Sequence, residues 1–236
     1  MLSIRSISKI LIESIAATLV FAVVALMGHM ILEPLVSKAQ SASSQFTTKQ
    51  TIGAEISFLT NASNVVLSPA IGGITGGAAT GSTQVVVYTN NSTGYTMTIQ
   101  ASGTVAAMKA DSSSSTISNY TPAGNFPDFN WVNNSTGQAA EFGFTVSAST
   151  TGDLAQKFLD NGSTCNTGSS DTSGANTCWT YASSTATSTI ATTGATLTSG
   201  STSTIFLHTN VPANPSPSLT NGTYTATTTL TATTNP

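Results

Sequence analysis

The chain has 236 residues and is sparing with charge, with six Lys and Arg against nine Asp and Glu. No basic stripe exists, which argues against nucleic acid as a partner, and no polybasic cluster exists to hold anionic lipid. Two cysteines and two histidines leave little material for a metal centre, so neither a metal nor a cofactor is expected.

In chain order, the first forty residues read as an export segment. Arg5 and Lys9 form a short positive start, an apolar run spans Ile15 to Leu32, and Glu33-Pro34 breaks it. Small residues follow, with Ser37 and Ala39 offering a peptidase site before Gln40. The run also reaches the ~18 residues at which a spanning helix becomes possible. Two outcomes are therefore open. Residues 1–39 are a cleaved signal, or residues 10–36 stay as a membrane anchor with the N-terminus cytoplasmic. Membrane contact is expected only through residues 10–36, and only if they are uncleaved. Glu13 invites comparison with the glutamate of type IV pilins. Ser8-Lys9 before it and Pro34 after it depart from that pattern, so it is read as a polar residue at the edge of the signal.

Residues 40–236 read as one extracellular domain, large enough to bury a core of its own. Period-2 alternation is its main signal. Phe46, Ile52, Ala54, Ile56 and Phe58 share one face of an expected first strand, able to pair in its own sheet or in a neighbour's. Val85-Val86-Val87-Tyr88 and Ile205-Phe206-Leu207 read as central strands. Tyr95, Met97, Ile99 and Ala101 alternate with polar residues. So do Ala140, Phe142, Phe144, Val146 and Ala148, and, less strictly, Tyr224 to Ala232. Residues 90–94 have hairpin length with Gly94 near the end, which predicts that Val85–Thr89 and Tyr95–Ala101 are paired neighbours. A short helix is predicted from Asp153, with Leu154 and Phe158 on one face and Asn161-Gly162 as its stop. Pro212, Pro215 and Pro217 exclude a central strand between Thr209 and Leu219. Residues 183–204 read as a weak edge strand or a loop. The predicted fold is all-β, a two-sheet antiparallel sandwich of Ig-like or jelly-roll type, preceded by an N-terminal hydrophobic export helix.

Cys165 and Cys178 bracket a polar loop, and in an exported chain such a pair reads as a disulfide. Nucleophilic catalysis lacks a base, since His208 is the last imidazole and lies within a strand. No G-x-S-x-G turn is present. Asp128 and Glu141 could form a glycosidase pair, although any chain with several acids offers such pairs. Asp160-Asn161-Gly162 with Asp171 could ligate Ca²⁺, but the ordered spacing of an EF-hand is missing. A Lys49–Asn235 isopeptide bond is disfavoured because Lys49 lies on the polar face of its expected strand.

Aromatics are the better binding hint. Tyr120, Phe126, Phe129 and Trp131 cluster in a Pro/Gly/Asn-rich region, and Trp179 with Tyr181 follows the second cysteine. Exposed, Phe129, Trp131, Trp179 and Tyr181 would stack on sugars or a partner protein. Buried, they would form a satellite core under long loops, which is the favoured reading.

Asn91-Ser92-Thr93-Gly94-Tyr95-Thr96-Met97-Thr98-Ile99 and Asn221-Gly222-Thr223-Tyr224 running on to Ala232 resemble strands of bacterial secreted surface β-sandwich proteins. The broad group is spore-coat-U-like, WxL-like and camelysin-like. The WxL tripeptide itself is absent, since Trp131 and Trp179 are followed by Val132 and Thr180. The resemblance implies a β-sandwich at a cell surface and carries no site residues with it. No LPxTG-type motif or lipobox cysteine is present, so attachment is expected through the N-terminus or other subunits. The function expected is non-enzymatic: a structural or adhesive surface protein, a subunit of a fibre or envelope layer. The alternative is a carbohydrate-binding surface module using the loop aromatics. Its partners would be further copies of itself, or a surface glycan or protein.

Overall fold

A computed structural model describes residues 4–32, 42–102, 108–124, 127–132, 138–171, 178–194, 196 and 199–236. The chain divides into two units, Met1–Thr51 and Ile52–Pro236.

The first unit carries helix α1, Ile4–Leu32. Its apolar residues surround the whole circumference rather than forming one stripe, unlike a helix that packs one face on a core. The stretch Ser8–Met30 has a mean hydropathy of 2.5. At 1.5 Å per residue it is roughly 34 Å long, enough for a bilayer core of about 30 Å. Length and composition alone suit either a signal or an anchor. The expected processing site at Ala39 and Gln40 lies outside the described residues.

The second unit is built mostly of strands, in two sheets. Strands β1 (Ile56–Thr60), β2 (Gly77–Thr89), β3 (Tyr95–Ala101), β4 (Met108–Ala110) and β5 (Thr116–Asn119) come first. Then follow β6 (Glu141–Ala148), β7 (Ser188–Thr193), β8 (Ser201–Val211), β9 (Tyr224–Thr225) and β10 (Thr228–Thr234). The larger, curled sheet has the order β1-β2-β8-β6-β5-β4-β9, and the smaller one β10-β3-β7. Inward residues of both sheets meet in one core. Val85, Val87, Phe144, Val146 and Ile205 come from the large sheet, and Tyr95, Met97, Ile99 and Ile190 from the small one. A second cluster around Ile117, Phe142 and Val211 fills the end of the large sheet. Pairing is antiparallel except between β5 and β6, which run parallel at Ser118–Glu141 and Asn119–Phe142.

Three local expectations are corrected, and one open alternative resolves to an edge strand. Residues 90–94 do not close a hairpin: β2 lies in the large sheet and β3 in the small one, so the loop arches across the core. A hairpin would set Val87 and Met97 side by side, whereas the arch lets them face each other. Gly94 makes the bend possible at φ +80°, where a Cβ would strike the Thr193 carbonyl. The Asn91 amide holds it by donating to the carbonyls of Gly94 and Asn235, at 3.0 and 2.6 Å.

The first strand is shorter than its alternation suggests. Only Ile56–Thr60 pairs, with β2, because β2 ends at Thr89. There Asn90 accepts from the Glu55 N–H (2.7 Å) and donates to the Gly53 carbonyl (3.0 Å). Residues 42–55 have no strand partner among the described residues, and Phe46 and Ile52 are exposed.

The predicted helix is instead two single 3₁₀ turns, Thr151–Asp153 and Gln156–Phe158. Asp153 does not cap a helix. Its carboxylate accepts from Thr193 Oγ1 at 2.7 Å and Ser201 Oγ at 2.5 Å. The Ala155 N–H donates to the Ile190 carbonyl, which ties the segment along the edge of β7. Finally, residues 183–204 do contain an edge strand, β7, and β8 runs to Val211 before Pro212 stops it.

Candidate functional site

Four of the sequence candidates, Tyr120, Trp131, Trp179 and His208, meet on the outer face of the large sheet, and a glycine explains how. Gly143 in β6 sits opposite His208 in β8. A Cβ on Gly143 would lie 2.6 Å from the Thr180 carbonyl, 2.8 Å from Tyr120 Cβ and 3.1 Å from Trp131 Cζ3. The missing side chain is the seat on which two loops lie. One loop is fixed by reciprocal backbone bonds between Phe144 and Thr180, the other by bonds between Asp128 and Trp179, all at 2.8–2.9 Å.

On this seat the rings stack. Trp131 has Tyr120 at 4.1 Å and His208 at 4.2 Å between centroids, the latter nearly parallel at 24°. Trp179 meets Trp131 edge-on at 5.4 Å and His208 at 5.3 Å. Tyr120 and Trp179 are buried and Trp131 is half-buried. With His208 stacked on it, Tyr120 tilted against it at 35° and Trp179 meeting it edge-on, Trp131 has little face left for a sugar. Burial holds the His208 imidazole below its ordinary proton affinity, which suits a neutral stacking partner.

Carboxylates line one side. Tyr120 Oη donates to Asp128 Oδ2 at 2.6 Å, and the Ala123 N–H donates to both Asp128 oxygens at 3.0–3.1 Å. The Val132 N–H donates to Tyr120 Oη at 3.3 Å. Burial first, and then its bond to Asp128, hold the Tyr120 proton far more tightly than in a free tyrosine. Glu141, the first residue of β6, is 3% exposed, and its Oε2 has no hydrogen-bond partner among the described residues. Burial pushes its pKa up and the nearby Asp128 charge adds to this, against a bond from the Thr121 backbone. A carboxyl with raised proton affinity beside a second carboxylate is the electrostatic layout of an acid–base pair. A substrate would have to reach Glu141, however, and neither cleft described next is lined by Asp128 or Glu141.

One cleft of about 600 Å³ runs between Phe58 with residues 61–65 and residues 225–230. The other, about 640 Å³, lies among Leu67, Ile71, Met108, Val211 and Tyr224. Its lining holds no ionisable acid or base other than the Tyr224 phenol.

The other candidates separate. Phe129 packs against the main core. Tyr181 is 38% exposed. Phe126 lies outside the described residues. Cys165 and Cys178 form a disulfide, both buried in the main core. Asp160 is buried, with Oδ1 accepting from the Gly162 N–H, and Asn161 Oδ1 accepts from Ser163 and Thr164. Among the described residues no three His, Cys, Asp or Glu side chains could hold a metal together. The Asn235 side chain joins the strand ends of the small sheet, accepting from Thr96 and donating to the carbonyls of Thr93 and Thr193.

His208 is a lone imidazole in the sequence and gains its ring neighbours only in the fold, and Gly143 falls at a polar position of an alternating strand. A glycine inside an alternating strand is itself a signal of close approach. No protein-family model matches the chain, and no curated protein is detectably similar to it.

Proposed function

We propose that the chain is an exported, non-enzymatic surface protein whose β-domain acts structurally or adhesively, as a subunit of a fibre or envelope layer. The observation that carries this reading is the closed aromatic cluster. The groups best suited to chemistry or sugar stacking, Trp131, Trp179, Tyr120 and His208, are occupied with one another. A domain that invests its aromatics in bracing the sheet has shape and edges left to offer a partner. The disulfide supports an oxidising compartment, and helix α1 supports export or anchoring outside the cytoplasm. In this reading the two sheets form a sandwich of Ig-like or jelly-roll kind, with the curled sheet over the small one.

Negative-stain microscopy of the protein released from its native surface tests this, with regular polymers or sheets as the expected result. Monomers at every concentration would overturn it. A glycan-binding reading is favoured only by exposed Tyr181 beside the cluster. Glycan-array binding that is lost in both Trp131→Ala and Tyr181→Ala would establish it instead.

A further inference from the structure

A sheet edge with unpaired N–H and C=O groups invites another strand, and proteins that stay monomeric blunt such edges. Of the four sheet edges among the described residues, three are blunted. The β7 edge is covered by residues 154–158, through the Leu154–Ala191 bridge and the Ala155 N–H to the Ile190 carbonyl. There the half-buried Lys157 also donates to Ser188 Oγ. The β9 edge is only two residues long. The β1 edge is broken by a bulge between Phe58 and Thr60.

The fourth edge, β10, is different. Thr228–Thr234 pairs with β3 in unbroken register over seven residues, with no bulge. It holds no charge and no proline, and no backbone bond uses its far side among the described residues. Leu230 and Ala232 face the core, while Thr229, Thr231 and Thr233 are exposed. Along this edge runs the cleft lined by Phe58, Ile99, Ile205, Leu207 and Leu230, so core side chains are within reach of whatever is added.

We propose that β10 pairs antiparallel with β10 of a second copy, joining two three-stranded sheets into one continuous sheet. The proposal rests on the reading of the protein as a self-assembling surface subunit, and it names the joint. The occupant follows from the strand's own sequence. Thr-Thr-Leu-Thr-Ala-Thr-Thr reads almost identically in both directions about Thr231. A two-fold contact needs a patch complementary to itself. With Thr231 opposite Thr231, all seven residues of each strand find partners, and a two-residue slip would leave two of them unpaired. Leu230 then lies opposite Ala232 on the core side, over the cleft, and Thr lies opposite Thr on the outer side, a favourable cross-strand pairing. Side-chain parity is kept, so no polar residue is turned inward.

The register makes the test specific, because directly opposed residues have Cβ atoms about 4.5–5.5 Å apart. The full chain, expressed with its export segment, is oxidised after single substitution. Its natural cysteines are already paired. Thr231→Cys should give a disulfide-linked dimer on a non-reducing gel. Thr229→Cys and Thr233→Cys should each stay largely monomeric alone, yet link when the two variants are mixed. As an independent measure, Thr231→Lys and Thr231→Glu should each lower association at least tenfold, and an equimolar mixture should restore it. Thr231→Cys no more cross-linked than Thr229→Cys, or charge variants that associate like the parent, would overturn the joint. Polymers that persist in Thr231→Lys would reject this joint while leaving the surface-assembly reading standing. Thr231→Cys dimers from a protein that never forms polymers would keep the joint and reject the layer or fibre.

Discussion

Replacing Gly143 by alanine tests whether the aromatic cluster is held as described. The added methyl carbon would sit 2.6 Å from the Thr180 carbonyl and 2.8 Å from Tyr120 Cβ. The first neighbour is backbone that bonds Phe144, so it cannot swing aside, and the second is the root of a buried ring. Overpacking of this kind costs about 1–3 kcal/mol. Gly143 lies outside the left-handed region, so alanine also narrows the unfolded ensemble, a gain of about 0.4–1 kcal/mol. The net loss should be about 1–2 kcal/mol, which for a domain of this size lowers Tm by ~2–8 °C. Gly152→Ala is the internal control, since nothing lies within 4 Å of its Cβ position. It should be neutral or slightly stabilising. Urea denaturation followed by circular dichroism gives both values, and tryptophan fluorescence reports whether the stack around Trp131 has loosened. A Gly143→Ala protein as stable as the parent, with unchanged fluorescence, would refute the seat.

Glu141, with its proton affinity raised by burial and by Asp128, favours the fold when protonated. Its contribution is full below the ordinary value of 4.5 and is lost as pH rises through the higher folded value. Glu141→Gln should therefore gain stability relative to the parent as pH increases, and parallel pH profiles would refute this. His208 has the opposite sign: burial lowers its pKa, so its contribution is present above 6.5 and is lost as pH falls. His208→Phe keeps a ring in the stack and should resist acid better than the parent, as read by denaturation midpoints from pH 7 down to 4. Alkylation without reductant should label neither Cys165 nor Cys178. Cys178→Ser should lose about 3 kcal/mol in the chain-entropy picture for a loop of 13 residues, measured by urea denaturation.

What could be read from the residues was whatever alternation alone controls. Tyr95, Met97 and Ile99 point inward as their spacing requires, and β3 spans the predicted Tyr95–Ala101. β6 also forms where expected, yet its alternation does not survive as a burial pattern. Residues 141–146 are all buried, because Tyr120, Trp131 and the stretch around Trp179 and Thr180 cover the face that a period-2 reading leaves to solvent. Glu141 and Thr145 are buried by that cover and not by their own hydrophobicity. The loop after β2 shows a different limit. Five residues ending in glycine reverse a chain equally well within one sheet or between two, since turn chemistry sets the bend and not the landing place. That choice belongs to Val85, Val87, Met97 and Ile99, which are better buried face to face than side by side. The helix predicted from Asp153 failed for a related reason. Its capping signal is local and weak, about 1 kcal/mol, whereas Thr193, Ser201 and the Ile190 carbonyl compete for the same segment from across the fold. Gly143 joins these cases, because its contribution is the volume it leaves empty. A pattern of side chains can show that a face exists, but only the segments lying against it decide whether that face meets water.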